Sequence, residues 1–227
     1  MRALVYYVAT SLDGFIADPQ DRYDAFVVDD DLLAFHTGYL DRFDAVVMGR
    51  RTYDIGLALG VTSPYPQMAE QVVFSRTLTR SPDPAVTVTS DDPVAAVRAM
   101  KAQDGGDIWL CGGGDLAAQL LAADLVDELV VKLNPFVMGD GIPLFAPHTA
   151  ATRWHHASTE TAGDLGIQVL TYHRSPTAVR PPRRDRRGAG RGRHGRPPTP
   201  RERAGGPPRR TPPRAIQAAR ASRRGNR

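Results

Sequence analysis

The chain has a single cysteine, Cys111, and only two lysines, Lys101 and Lys132, in 227 residues. A lone thiol cannot close an internal disulfide, which excludes a disulfide-stapled fold and points to a reducing compartment, the cytoplasm by default. No window approaches the ~18 consecutive apolar residues that a membrane helix requires, and Met1-Arg2 leads straight into a strand-like run where a signal peptide would need its apolar core. No membrane role is expected. His155 and His156 are adjacent and would face opposite sides of a strand, so no metal pair is expected either. Aromatic residues are missing from the last 53 positions.

What is present divides at Arg174. Residues 1 to 174 hold 12 basic and 23 acidic side chains, net −11, whereas residues 175 to 227 hold 17 Arg against 2 acids, net +15, and the sum is the +4 of the whole chain. The basic balance therefore belongs to the tail. With 10 Pro, 7 Gly and almost no large aliphatics, that tail cannot bury enough apolar surface to offset its ordering entropy and is expected to be disordered. Its arginines suit a phosphate backbone through counterion release, or simply keep an extension solvated. The first 174 residues are enough for one domain, since chains of that size bury roughly 70% of the surface exposed when unfolded.

Short apolar runs alternate with helix-like segments. Ala3 to Ala9 reads as a buried strand closed by Ser11-Leu12-Asp13-Gly14, and Asp30 to Leu40 as a helix with an acidic first turn. Ala45 to Met48, Gln71 to Phe74, Val86 to Val88, Asp107 to Cys111 and Glu128 to Leu133 read as further strands. A helix is expected behind Ser90-Asp91-Asp92-Pro93, with its cap-type residues and first-turn Pro, and another over Asp115 to Ala122. Trp154 to Thr159 and Gly166 to His173 look like a terminal antiparallel pair. The alternation predicts an α/β domain, a mixed and mostly parallel central sheet with helices on both faces, and ligands at the carboxyl ends of its strands.

Four strand ends carry candidate chemistry. Cys111-Gly112-Gly113-Gly114-Asp115-Leu116 follows a strand and opens a helix, so a pyrophosphate can approach main chain and meet unpaired N–H donors; a tight strand-to-helix turn is the plainer alternative. Met48-Gly49-Arg50-Arg51-Thr52-Tyr53 sets two guanidinium groups beside a glycine, with Thr52 placed to cap the next helix. Phe74-Ser75-Arg76 adds a hydroxyl and a third Arg. Three Arg at such positions in a domain of net charge −11 favour a ligand richer in phosphate than NAD, hence NADPH. The fourth, Val8-Ala9-Thr10-Ser11-Leu12-Asp13-Gly14-Phe15, offers small residues for a flat ring and Asp13 to orient a substrate or a proton-donating water, or else an Asp-Gly turn. Cys111 within a β-run, and His36 and His173 with no partner signal, are read as structural.

In this order, Ser-Leu-Asp-Gly, Met-Gly-Arg-Arg-Thr-Tyr, Ser-Arg, Gly-Gly-Gly-Asp-Leu, Val-Asp-Glu-Leu and Pro-Phe-Val-Met-Gly-Asp-Gly-Ile-Pro-Leu-Phe resemble the dihydrofolate reductase-like superfamily. Within it, they are most similar to the reductase (C-terminal) domain of the riboflavin-biosynthesis deaminase-reductase and its stand-alone relatives. The resemblance covers residues 2 to about 173. It implies NADPH, with Gly49, Arg50, Arg51, Thr52, Ser75 and Arg76 on the 2′-phosphate side and Gly112, Gly113, Gly114, Asp115 and Leu116 at the pyrophosphate. It also implies a cis peptide between Gly112 and Gly113, Ala9 beside the nicotinamide, a homodimer, and a catalytic carboxylate at Asp31, which precedes Leu32-Leu33-Ala34-Phe35. At two points the chain departs from its relatives. No Lys or Arg occurs between Arg51 and Arg76, where dihydrofolate reductases carry the Arg that clamps the glutamyl carboxylate. Phe15 stands where the riboflavin-pathway reductase has Lys, and a fused deaminase domain, with its zinc-ligand spacing, is not expected among these residues.

The expected activity is hydride transfer from NADPH to a C=N or C=O carbon of a small pterin-like or pyrimidine-like heterocycle, with a proton supplied through Asp31 or Asp13. The rivals are the 5-amino-6-(5-phosphoribosylamino)uracil reductase of riboflavin biosynthesis and a non-catalytic nucleotide- or nucleic-acid-binding protein acting through its Arg-rich tail.

Overall fold

A computed structural model describes residues 1–147 and 149–175. The Arg-rich tail and its nucleic-acid reading lie outside the described residues from position 176 onwards.

The described elements are β1 (Leu4–Thr10), β2 (Phe15–Ala17), α1 (Asp30–Leu40), β3 (Phe43–Gly49), α2 (Arg50–Ala58), β4 (Glu70–Phe74) and β5 (Val86–Thr89), then α3 (Pro93–Ala102), β6 (Asp107–Gly112), α4 (Gly114–Ala122), β7 (Glu128–Leu133), β8 (Ile142–Pro143), β9 (Trp154–Ala162) and β10 (Ile167–Arg174). Eight strands form one sheet in the order β5-β4-β3-β6-β1-β7-β10-β9. The first six are parallel; β10 runs antiparallel to β7, and β9 antiparallel to β10. The chain leaves β1 for β3 on one side and returns to β7 on the other, so β1 lies at the topological switch, where ligand crevices form in open α/β sheets. Strand β6 fills the gap between β3 and β1, which brings the glycine-ended strands β3 and β6 side by side.

Continuous apolar runs suit strands buried on both faces. On one face Leu4, Tyr6, Ala45, Val47, Ile108 and Leu110 pack against Val97 and Met100 of α3 and Leu116, Ala117 and Leu120 of α4. On the other, Val5, Tyr7, Val46, Met48, Trp109 and Val130 pack against Leu32 and Leu40 of α1 and Tyr53 of α2. Each fully buried aliphatic side chain contributes about 1.5–3 kcal/mol. Lys101 is buried yet fully engaged, donating to the Leu125 carbonyl at 2.7 Å and pairing with Asp127.

Two short elements escape sequence periodicity. Strands β2 and β8 form a separate antiparallel pair, and Leu144 N–H donates to Gly14 O beside it. A Cβ on Gly141 would overlap the Ala17 carbonyl oxygen, and one on Gly114 would overlap that of Pro143. The 138–146 loop is therefore pressed against β2 at one end and the start of α4 at the other, and only glycine fits either abutment. Helix α2 also begins earlier than expected: Gly49, extended at φ −79° and ψ 161°, is its N-cap, so Thr52 lies within the first turn and does not cap it.

Candidate functional site

The carboxyl ends of the parallel strands open into a cleft of about 1020 Å3. Its floor is the β3–α2 and β6–α4 junctions. A Cβ on Gly49 would sit 3.7 Å from Gly113 N and 3.8 Å from Gly112 O, so the two turns touch through main chain. Additional Cβ atoms on Gly112 and Gly113 would meet only Thr52 Oγ1, at 3.5 and 3.7 Å, so beyond that hydroxyl the glycines leave their backbone open to the cleft. Gly112 has φ +142°, a conformation L side chains rarely adopt, and the Gly112–Gly113 peptide is cis, as the resemblance implies.

The helix ends differ in a way that bears on ligand chemistry. Asp29 caps α1 by accepting from Leu32 N–H, and Asp92 caps α3 by accepting from Val94 and Ala95 N–H. Helices α2 and α4 start behind Gly49 and Gly113, which have no side chain to offer and make no cap hydrogen bond. In α4 the Ala117 N–H makes a helical bond to Gly113 O, leaving the amides of Gly114, Asp115 and Leu116 ahead of it at the open end. Two adjacent helix N-termini without side-chain caps, each carrying partial positive charge, have the donors a phosphate group requires. A pyrophosphate-bearing coenzyme fits these residues.

Around these N-termini, Arg50, Arg51, Ser75 and Arg76 line the cleft with Asp115 and Leu116. The three guanidiniums are not equivalent. Arg50 Nε donates to both Asp54 oxygens at 2.8 Å and its Nη1 to Thr77 Oγ1 at 2.7 Å. Arg51 pairs with Asp21. Arg76 is exposed and makes no ion pair among the described residues. Ser75 is buried; its Oγ accepts from Thr77 and Leu78 N–H and so shapes the turn that presents Arg76. Leu116 contributes its side chain to the core, leaving its amide for the cleft, and Asp115 is exposed in the first turn of α4.

The two carboxylates expected to supply protons line no part of this cleft. Asp13 accepts from Ser11 Oγ at 2.6 Å, Met138 N–H at 3.0 Å and Gly139 N–H at 2.8 Å. The Ser11 hydroxyl foremost, then the Met138 amide, hold its carboxyl down at about 2. Such a group is ionised at neutral pH, and it clamps the 138–146 loop. Asp31 is exposed in the first turn of α1, where a carboxylate complements the helix N-terminus.

Sequence reasoning passed over a second group of residues, on the α1 face beside Cys111, which itself lines the cleft. Ala9 pairs with Lys132 and Tyr7 with Val130, so by strand alternation all four share that face. Lys132 Nζ lies 3.5 Å from His36 Nδ1 and 4.3 Å from the centre of the Tyr7 ring. Tyr7 Oη is 3.2 Å from the same His36 nitrogen. Burial, and then the Lys132 charge, push His36 down to about 4, so at neutral pH its ring is uncharged. Facing Tyr7 and Lys132, Nδ1 serves as the acceptor. Burial likewise pushes the Lys132 ammonium down to about 8. Trp109 donates its indole N–H to Tyr7 O at 2.9 Å and stands edge-on to Tyr65, ring centres 4.5 Å apart. Tyr65 Oη lies 3.4 Å from Cys111 Sγ, and burial raises that thiol to about 11, consistent with an inert cysteine.

Residues 2–166 match the family model of the RibD C-terminal domain. The chain is 33% identical over 168 residues to the protein YwjB of Bacillus subtilis, covering 71% of this chain and 93% of that one. A Shewanella sp. PV-4 protein described as a riboflavin biosynthesis protein superposes with a TM-score of 0.65 at 28% identity, over 77% of this chain and 99% of the other. Dihydrofolate reductase from Enterococcus faecalis, in complex with NADP(H), shares the fold at a TM-score of 0.55 and 15% identity, over 77% of this chain and 97% of its own. With glycine-ended strands meeting at the switch of a dihydrofolate reductase-like sheet, the chain belongs to the RibD C-terminal domain family and has the architecture of a reductase.

Proposed function

We propose that the protein is an NADPH-dependent reductase of a small heterocycle. The observation that carries this reading is the pair of uncapped helix N-termini meeting behind Gly49 and Gly113. NADPH, when bound, supplies a hydride. The chain's own part is to hold the pyrophosphate on the amides of Gly114, Asp115 and Leu116, and to read the 2′-phosphate chiefly with Arg76. Arg50, Arg51, Thr52 and Ser75 form the surrounding wall. Ala9, next to Lys132 in the β1–β7 register, supports a nicotinamide place at the end of β1, with the substrate ring on the side of Tyr7, Tyr65 and Trp109. Holding the two rings face to face is the protein's main contribution to rate.

Titration calorimetry of the purified chain with NADPH and NADH tests this. Binding of NADPH in preference to NADH is expected, and absence of heat with either would overturn the reading. Residues 1–174 are taken as the reductase domain, so removing residues 175–227 is expected to leave NADPH affinity unchanged. A cytoplasmic address is supported by the lone, inert Cys111. A homodimer is supported by β9, a nine-residue outer strand with one edge unpaired among the described residues, and sedimentation at twice the chain mass would bear it out. The family match favours a second reading, the phosphoribosylamino-uracil reductase of riboflavin synthesis, which complementation of a strain lacking that enzyme tests.

A further inference from the structure

The two lysines of the chain are in opposite circumstances. Lys101 is engaged by Asp127 and the Leu125 carbonyl. Lys132 has one polar side-chain partner, the ring nitrogen of His36 at 3.5 Å, and no carboxylate within ion-pair distance among the described residues. An ammonium has three donors and no acceptor, so the protein leaves most of its hydrogen-bonding capacity unused. The titratable groups around it are Tyr7 from β1, His36 and Tyr39 from α1, Cys111 from β6 and Tyr65 from the segment before β4. Glu128, on β7 itself, is held by Arg42 and Tyr39. The tyrosine, histidine and cysteine groups among them are uncharged at neutral pH.

A half-buried cation set over the Tyr7 ring and beside His36, at the carboxyl end of a strand and close to the cleft-lining Cys111, is costly unless something else completes its shell. We propose that Lys132 is the specificity-determining residue of the substrate end, hydrogen-bonding a carbonyl oxygen on a flat ring seated at the carboxyl end of β7. This rests on the reductase reading of the site and narrows its substrate class. Rings presenting a carbonyl at that point are accepted. Rings presenting an amidine-type cation are refused, because two like charges would meet in an environment of low polarity. Burial lowers the Lys132 pKa to about 8, in keeping with a cation no carboxylate neutralises.

The test uses the full chain saturated with NADP+ and two probes of the same ring, uracil, with two carbonyl acceptors, and 2,4-diaminopyrimidine, with donors in their place. Because the chain has only two lysines, lysine-labelled protein gives two 13Cε signals, and the one absent in Lys132→Arg is Lys132. Uracil is expected to shift the Lys132 signal and raise its ionisation midpoint, and to bind at least fivefold more tightly than 2,4-diaminopyrimidine. Lys132→Met is expected to weaken uracil at least fivefold, to strengthen 2,4-diaminopyrimidine, and to leave NADP+ affinity within twofold. Lys132→Arg, which keeps the charge, is expected to retain part of the uracil affinity. Equal uracil binding by wild type and Lys132→Met, or a wild-type preference for 2,4-diaminopyrimidine, would overturn the proposal. NADP+ affinity, measured first and separately, reports on the reductase reading alone.

Discussion

The two halves of the site are built on different principles. The proposed coenzyme side is made of backbone: glycine-ended strands, helix N-termini without caps, and amides presented in order along α4. The substrate side is made of side chains drawn from β1, α1, β6, β7 and the segment before β4, meeting only in three dimensions. Main chain gives a fixed set of donors for an invariant ligand. Scattered side chains give a surface whose polarity one substitution can change.

The sharpest way to break this contrast is at a glycine. Gly114→Ala drives a methyl group into the Pro143 carbonyl. It is expected to lower stability by about 1–3 kcal/mol, seen in chemical denaturation, and to abolish NADPH binding. If coenzyme binding survived intact, the backbone side would not be the rigid part. Next is Arg76→Ala, expected to weaken NADPH about tenfold or more while sparing NADH, since a charge-assisted bond contributes ~1.5–3 kcal/mol. Arg50→Ala should weaken NADPH less, because Asp54 already occupies its guanidinium. Equal losses for both coenzymes would remove the 2′-phosphate assignment.

Smaller effects probe the side-chain half. His36 is held at about 4 against an ordinary 6.5. Between those values the unfolded chain takes up a proton that the folded ring refuses, so stability falls as pH drops from about 6.5 to about 4. His36→Phe is expected to flatten the melting temperature across that window without altering NADPH affinity. The least effect is expected from Asp13→Asn. Asp13 keeps its proton off down to about 2 against an ordinary 3.8, so its clamp on Met138 and Gly139 is present above that ordinary value and lost as pH falls towards 2. The variant should speed amide exchange at those two positions while the global melting temperature moves little.

The contrast also explains what could be read from the sequence. Gly112-Gly113-Gly114 and Gly49-Arg50-Arg51 are contiguous, and their conformation follows from local backbone rules, so the two strand-to-helix turns were legible. The sheet was legible for a similar reason: buried parallel strands are uninterrupted apolar runs such as Leu4 to Val8 and Val46 to Met48. Lys132 was hidden because nothing near it in sequence marks it. Its partner His36 is 96 positions away, and a lysine near a strand end ordinarily reads as a solvated edge. Asp13 and Asp31 drew notice for the opposite reason, as an acid after a strand and one at a helix start, and their surroundings were not legible: Asp13 holds a loop and Asp31 faces solvent. Strands β2 and β8, three and two residues long, are too short for any periodicity to register.

The 138–146 loop abuts main chain at two points, its Gly141 against the Ala17 carbonyl and its Pro143 carbonyl against Gly114. A side chain added at either abutment would displace the loop, so the start of α4 and strand β2 constrain each other through it. A chain with that construction can change what it reduces by altering α1 and the aromatic walls, with the keystone left in place.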